Sequence, residues 1–590
     1  MCGIVGCVGE KDTQNYLFDG LKSLEYRGYD SAGVALISKK GTRVFKSVGR
    51  VETLKESITL GEYANIGIGH TRWATHGQPD IKNCHPHTSN NNRFYIVHNG
   101  VIENYIKLKQ QLFSDGFNFY SDTDTEVIAN IIEQEFTTCK DVLVSLENML
   151  KRVKGSLALA IIDSKDQDKL YFVKRKSPLL IGKGDNAYYL ASDALPMIKK
   201  TNNFIDVLDN QYGYITSNTL VLMEKGSAVK PKQVTRNAEL LNSDLNGYPH
   251  YMLKEIEEIP QCINRLVDNY YQENSFNFNQ EMIETLKKAN EVVFIACGTS
   301  YHAALIGKRY MQSINKFSKA YVASEWAYFP RFSNDAVYII ISQSGETADA
   351  IKCLNIINEH NLKSIAITNT KGSTLEREAT YSCLLYAGVE IAVASTKAYT
   401  SQVALLYLLK SALIDDYKAF DVLIKNNESL NNIIERKQEI HSIAKLIYNK
   451  KDAYFLARGS DYYVALEASL KLKEITYIHS EAFPAGELKH GPIALIEKTT
   501  PVIGFITLEV VNEITRNNFA EVTTRGAKVF VISTKSLASE DDSFVIDDVN
   551  EDISSLSLAM VCQYLAYFTA LEKKTDIDKP RNLAKSVTVE

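Results

Sequence analysis

Over roughly the first 225 residues, apolar positions cluster in short β-branched runs separated by Gly, Asn and Asp: IGIGH (66–70), RFYIVHNG (93–100), SLALAIID (156–163), KLYFVKR (169–175), AYYLASD (187–193), QYGYITS (211–217) and TLVLMEK (219–225). Such runs predict stacked antiparallel sheets. From 226 to 250 the pattern turns polar and aperiodic, which predicts a linker. Beyond 250 the rhythm becomes apolar strand, polar turn, long helix, as in VVFIACGTS, AVYIIISQSGE, SIAITNT, AYFLARGS, PVIGFITLE and AKVFVIST. Strands alternating with helices predict parallel, doubly wound sheets.

This second part repeats itself. VVFIACGTSYHAAL (292–305) aligns without gaps onto AYFLARGSDYYVAL (453–466), matching at Phe, Ala, Gly, Tyr, Ala and Leu. The expectation is two copies of one α/β unit, a duplication and not a solenoid. The expected division is a β-rich domain over 2–225, a linker over 226–250, α/β copies over 251–430 and 431–577, and an irregular tail over 578–590 that covers a site.

The 590 residues exceed what one core organises, and 45% apolar with 23% charged residues is ordinary soluble composition. A net charge of −5 gives no footprint for nucleic acid or an anionic membrane surface, so any anionic ligand must be held by local donors. No uninterrupted apolar run reaches the roughly 18 residues of a bilayer span, and MCGIVGCVGEKD lacks the basic start and apolar stretch of a secretory signal. Nine scattered cysteines without a CxxC pair argue for a reducing cytoplasm over a disulfide frame.

Cys2 directly follows the initiator methionine. Removal of methionine before a small residue leaves thiol and α-amine on one residue. That amine has an ordinary pKa near 7.7–8, against about 10.4 for lysine, so part of it is neutral at pH 7 and can take the thiol proton.

CGIVG at the start, LEYRGYDSAG (24–33), HTRWATHG (70–77), NCHPH (83–87), HNGVIEN (98–104) and SDTDTEV (121–127) resemble, in order and spacing, the class II glutamine amidotransferases, which are N-terminal-nucleophile hydrolases. The resemblance implies an α+β, αββα-sandwich glutaminase with Cys2 as nucleophile. Its oxyanion hole maps onto the Asn99 amide and the Gly100 N–H. Arg72 would take the glutamine carboxylate, Asp124 its ammonium, and Arg27, Thr75 and His76 line the site. Trp73 matches the residue that gates ammonia passage, although a tryptophan can equally fill a core. Cys84, His85 and His87 are spaced like metal ligands, but no fourth ligand has conventional spacing, and neither metal nor cofactor is expected.

In the first α/β copy, CGTSYH (297–302), ISQSGETAD (341–349) and VASTKAYTSQ (393–402) follow strands or open helices, where free N–H groups and the helix dipole favour anions. Ser300, Ser342, Gln343, Ser344 and Thr347 add neutral donors suited to a phosphate monoester. Taken singly, each cluster also reads as a helix cap. These stretches resemble the sugar isomerase (SIS) domain, and the paired copies resemble the isomerase half of glutamine-dependent sugar-phosphate amidotransferases. The resemblance implies that these five residues bind phosphate and that Ser395 contacts a sugar hydroxyl.

In the second copy Asp461 stands where Ser300 stands in the first, and a carboxylate there would repel phosphate. Glu467, Lys471 and Glu474, at i, i+4 and i+7, share one helix face. Spacing alone leaves this open between a solvated salt-bridge ladder and a proton-shuttling site. The resemblance implies Glu474 as enolisation base, Lys471 as its active-site neighbour and His490 as the ring-opening residue, supplied by a partner subunit in a homodimer. Lys585 in the tail reads on spacing as a solvated charge; the resemblance implies a Schiff-base lysine.

The implied substrates are glutamine and fructose 6-phosphate, and the product glucosamine 6-phosphate. Two alternatives stay open: another class II amidotransferase, which would need ATP or diphosphate machinery, and a non-enzymatic SIS-type sensor. No GxxxxGK[ST] loop is present, and Gly182-Lys183-Gly184 leading to Ala187 runs into a strand-like stretch instead of a helix. The hinge lacks a long insertion, which by analogy points to a bacterial-type enzyme.

Overall fold

The computed structural model describes residues 2–58, 64–73, 77–235, 244–272 and 275–587. The chain forms two units, 1–242 with 586–590, and 243–585.

The first unit is a helix–sheet–sheet–helix sandwich. One sheet has eight strands and the other seven, and the adjacent strands pair antiparallel. Each of the seven apolar runs singled out above contributes a strand, among them Ala64–Arg72, Phe94–Ile102 and Gly155–Asp163. The sheets meet through Ile4, Val8, Ile66 and Ile68 from one, and Val97, Ala158, Ala160 and Phe172 from the other. The far face of the seven-stranded sheet packs Ile96, Leu157 and Leu159 on helices Thr125–Cys139 and Val142–Arg152, through Val127, Ile131, Leu146 and Met149. Alternating side chains thus serve two cores from one strand. The stretch read as a linker begins with short strands Ser227–Ala228 and Lys232–Thr235, paired to Met223–Glu224 and Asn203–Asp206; its residues 236–243 lie outside the described residues.

The second unit holds two five-stranded parallel sheets with the same strand order, second-first-third-fourth-fifth. In the first copy these strands are Phe317–Val322, Glu291–Ala296, Ala336–Ile341, Lys363–Thr368 and Tyr381–Leu384. In the second they are His479–Pro484, Asp452–Ala457, Pro501–Ile506, Lys528–Thr534 and Phe544–Ile546. The duplication read from one 14-residue alignment therefore extends over the whole topology. In this order the chain reverses direction of growth between first and third strands, and ligands of such sheets bind beyond the strand ends at that crevice. One described segment, Glu551–Lys573, has the length and mean hydropathy (1.3) of a membrane span, but its apolar stretch is buried inside the protein, as suits a core helix.

Candidate active sites

In the first unit, Cys2 leads directly into the central strand Gly3–Val8, held between Ala64–Arg72 and Tyr188–Ala191. Its half-buried Sγ accepts the Trp73 N–H at 3.3 Å, and its carbonyl accepts Asn99 Nδ2 at 2.9 Å. Burial pushes the thiol pKa up, while the Trp73 N–H and the Arg72 charge pull it down. The two facing sheets thus bring the expected nucleophile and the expected oxyanion residue together from 97 residues apart. At Gly100 the backbone has φ +138°, and a Cβ would lie 2.0 Å from the Ser156 carbonyl oxygen, so no other residue fits.

The Asn99 amide is oriented by a residue that the sequence reading had not singled out. His70 Nε2 lies 3.0 Å from Asn99 Oδ1 and 3.0 Å from the His98 carbonyl, both acceptors, so Nε2 carries a hydrogen. Burial holds the His70 pKa down to about 3. With Oδ1 engaged, Nδ2 must face Cys2.

Arg72, buried, donates to the Gly77 carbonyl at 2.9 Å and to that of Gln78 at 3.4 Å. Asp124, also buried, accepts the Ile102 N–H at 2.8 Å at the start of helix Thr125–Cys139. Arg27 donates to the Tyr26 hydroxyl at 3.0 Å and pairs with Asp193, a second residue not anticipated. Trp73 sets its ring edge-on to Tyr29, 5.7 Å between centroids. Thr75 and His76 lie outside the described residues.

The residues weighed as metal ligands have other partners: Cys84 Sγ reaches the Asp80 carbonyl at 3.2 Å, His85 Nδ1 accepts the His98 N–H at 3.2 Å, and His87 Nε2 meets Thr123 Oγ1 at 3.1 Å. Among the described residues no group of three His, Cys, Asp or Glu side chains could hold a metal ion.

In the second unit, two of the Ser/Thr clusters stand after the first and third strands of the first copy, side by side at the crevice. Ser300 lies in the first turn of helix Gly298–Ser313, and its Oγ accepts Gln402 Nε2 at 3.0 Å. Ser342 and Thr347 exchange a hydrogen bond at 2.8 Å before helix Ala348–Glu359, and Ser344 Oγ accepts the Glu346 N–H at 3.2 Å. Gln343 lies in the same loop, its carbonyl accepting the Asn369 N–H at 2.9 Å. Gly345, at φ +66°, leaves a Cβ no room against Ser373 Oγ at 2.1 Å. The loop leads into the 12-residue helix Ala348–Glu359, and the first turn of such a helix is the kind of place where an anion is favoured.

The second copy fills its own cradle. Asp461, buried, accepts the Thr507 N–H at 2.8 Å and its hydroxyl at 2.6 Å; Thr507 follows the third strand just as Ser342 does in the first copy. A fixed internal carboxylate occupies the donors, and burial pushes its pKa up to about 6.

Glu467, Lys471 and Glu474 lie on helix Ser460–Thr476, but not as a solvated ladder: the Glu467 and Lys471 side chains are 2% and 1% exposed. Lys471 Nζ is 2.6 Å from Glu474 and 3.5 Å from Glu467. Glu467 is held from the first copy by Thr299 Oγ1 at 3.0 Å and His302 Nδ1 at 2.7 Å, the latter a further unanticipated residue. Lys585 is likewise not solvated: its side chain is 3% exposed, with Nζ 2.5 Å from Glu390 Oε2 and 2.8 Å from the Ala392 carbonyl. Ser395 Oγ donates to the same Glu390 oxygen at 2.9 Å. The Glu390 charge also acts on Lys471, though less than Glu474 and Glu467 do. His490 stands exposed on the turn Glu487–His490.

The SIS domain family matches residues 285–412 and 446–572, and the glutamine amidotransferase domain family residues 70–199. The chain is similar to the glutamine–fructose-6-phosphate aminotransferases (isomerizing) of Bacillus cereus, 44% identical, and of Geobacillus kaustophilus, 45% identical, each over 100% of both chains. Among solved structures it is similar to the C-terminal domain of glucosamine-fructose-6-phosphate aminotransferase from Francisella tularensis, 33% identical with TM-score 0.53, covering 57% of this chain and 100% of that one. A tagatose-6-phosphate ketose/aldose isomerase from Escherichia coli, 16% identical with TM-score 0.50 over 57% of this chain and 98% of its own, shares the fold. With full-length relatives above 40% identity, and a glutaminase sandwich followed by paired SIS lobes, the chain belongs to the glutamine–fructose-6-phosphate aminotransferase (isomerizing) family.

Proposed function

We propose that this chain hydrolyses glutamine at Cys2 and passes the ammonia internally to fructose 6-phosphate, which it aminates and isomerises to glucosamine 6-phosphate. The observation that carries the reading is the meeting at Cys2 of the Trp73 N–H, on Sγ, and the Asn99 amide, on the carbonyl, in a chain that also holds a hydroxyl-lined loop before a helix.

Once Met1 is removed, the Cys2 α-amine takes the thiol proton and the thiolate attacks the glutamine amide carbon. Asn99 Nδ2 and the Gly100 N–H hold the oxyanion, Arg72 and Asp124 hold the two charges of glutamine, and Arg27, Thr75 and His76 line the pocket. Ammonia leaves with a proton from the amine, and water releases glutamate from the thioester. Trp73 gates the passage of ammonia.

At the second site Ser300, Ser342, Gln343, Ser344 and Thr347 bind the phosphate, and Ser395 binds a sugar hydroxyl. Lys585 condenses with carbon 2 of the open-chain ketose, which acidifies the carbon 1 protons and activates carbon 2 toward ammonia. Glu474 moves the proton between carbons 1 and 2, with Lys471 paired to it at 2.6 Å. The enzyme acts as a cytoplasmic homodimer in which each ring-opening His490 serves the partner subunit's site.

The test is release of glutamate and amino sugar from glutamine and fructose 6-phosphate without ATP. A sensor would release neither, and an ATP-dependent amidotransferase would stay idle until ATP was added.

A further inference from the structure

The contact that buries Lys585 raises a chemical problem. Its Nζ donates to Glu390 Oε2 at 2.5 Å and to the Ala392 carbonyl at 2.8 Å, and a lysine in its usual ammonium form has no lone pair for a carbonyl carbon. Glu390 itself cannot swing away. Its Oε1 accepts the N–H groups of Thr396 at 2.8 Å and Ala398 at 3.0 Å, where helix Lys397–Leu413 begins, and its Oε2 also accepts Ser395 Oγ at 2.9 Å. The carboxylate is fully buried and fixed at the reacting nitrogen.

The ionisable groups that interact with Glu390 are Lys585, Lys471, Cys262 and Glu255, and Lys397 acts on the last two. Glu255 Oε1 accepts the N–H groups of Ile391 at 2.5 Å and Ala392 at 3.3 Å, and its buried Oε2 has no partner among the described residues. Burial and the Glu390 charge push Glu255 up to about 8, whereas Lys585 pulls Glu390 down despite its burial. Near neutral pH the pair thus carries one negative charge, on the carboxylate that touches the lysine.

We propose that Glu390 is a catalytic residue for imine formation, taking the proton from Lys585 and returning it to the departing oxygen. Glu390 Oε2 accepts a proton from the Lys585 ammonium, giving a neutral amine and a neutral acid. The Nζ lone pair forms the bond to carbon 2 while the carbonyl π electrons move to oxygen. A proton passes from nitrogen to that oxygen, giving a neutral carbinolamine. Protonated Glu390 then donates to the hydroxyl, the C–O bond breaks, water leaves, and nitrogen forms the second bond to carbon. The result is a protonated imine beside ionised Glu390, with water the sole by-product and the site's net charge unchanged.

This inference rests on the reading of Lys585 as the imine-forming residue, and one experiment separates the two. The full-length enzyme is mixed with fructose 6-phosphate and borohydride, and the adduct on the Lys585 peptide is followed by mass spectrometry from pH 6 to 9. Failure to trap any adduct on Lys585 in the unaltered enzyme overturns that reading of Lys585. Given trapping, Glu390→Gln is expected to slow it on the order of 10²-fold at pH 7, with the rate climbing toward pH 9 as solvent deprotonates the amine, whereas the unaltered enzyme stays flat. Glucose 6-phosphate binding by the variant reports that its site is folded. Trapping by Glu390→Gln at the unaltered rate and pH profile would overturn the proposal. Should Glu390→Gln not bind glucose 6-phosphate, Glu390→Asp decides: a flat profile at reduced rate supports the proposal, and a climbing one overturns it.

Discussion

His70 Nε2 and Asn99 Oδ1 lie 3.0 Å apart, and this contact decides which end of the Asn99 amide faces Cys2. The donor comes from the strand beside the one that Cys2 opens, and the acceptor from the opposing sheet. His70→Leu removes the donor and frees the amide to turn. Glutamine hydrolysis is expected to lose up to one oxyanion contact, about 2.7–4 kcal/mol in the barrier. Synthesis from added ammonia is expected to be spared, and His70→Gln, which keeps an N–H₂ donor, to recover part of the hydrolysis. Assays with glutamine and with ammonia salts side by side check this.

The same histidine belongs to a buried set with His85, His87 and His98; the rings of His70 and His85 stack at 4.0 Å. Burial depresses all four pKa values, that of His70 to about 3. The unfolded chain binds these protons below pH 6.5 and the folded one does not, so stability is full above pH 6.5 and falls as the pH drops toward 3. His70 alone accounts for about 5 kcal/mol across that window. Calorimetry and residual glutaminase activity between pH 7.5 and 5 are expected to show this unit weakening with acid.

One phosphosugar per chain is expected, because Asp461 occupies the donors of the second copy. Titration calorimetry with glucose 6-phosphate checks the stoichiometry. Ser342→Ala is expected to weaken binding by about 1.5–3 kcal/mol, the usual worth of a hydrogen bond to a charged group. Two equivalent sites would contradict the assignment of Asp461 as an internal anion.

Lys471 sits buried between two carboxylates, and removing it leaves them facing each other without a cation. Lys471→Met is expected to destabilise the second unit by about 3–5 kcal/mol and to abolish amino-sugar formation, while glutamine hydrolysis persists. Denaturant unfolding and the two product assays separate the effects.

Much of this architecture was legible in the sequence, and the gaps have physical causes. Interior strands such as Ala336–Ile341 and Pro501–Ile506 are buried at every residue, so their apolar runs announced them. The edge strands Phe317–Val322 and His479–Pro484 are only partly covered, and FSKAYV and HSEAFP carry no such run. Cys2, Asn99 and Gly100 stand in local motifs, which is why the sequence could offer them as candidates. His70, Asp193, His302 and Glu390 act through partners 29, 166, 165 and 195 residues away, a relation that spacing along the chain does not express. The burial of Lys471 and Lys585 was hidden for the same reason, since a lone charge in sequence reads as solvated until the elements that cover it are known.

The central claim is that the Cys2 thiol, activated by its own free amine, supplies the nitrogen. Its most direct test is the mass of the N-terminal peptide from fully active enzyme, before and after treatment with an electrophilic diazoketone analogue of glutamine. The account predicts a chain that begins at Cys2, takes one adduct on that residue, and loses glutamine-dependent synthesis as the adduct forms. Full activity in a chain that still carries Met1, or inactivation with the adduct on another residue, would contradict it.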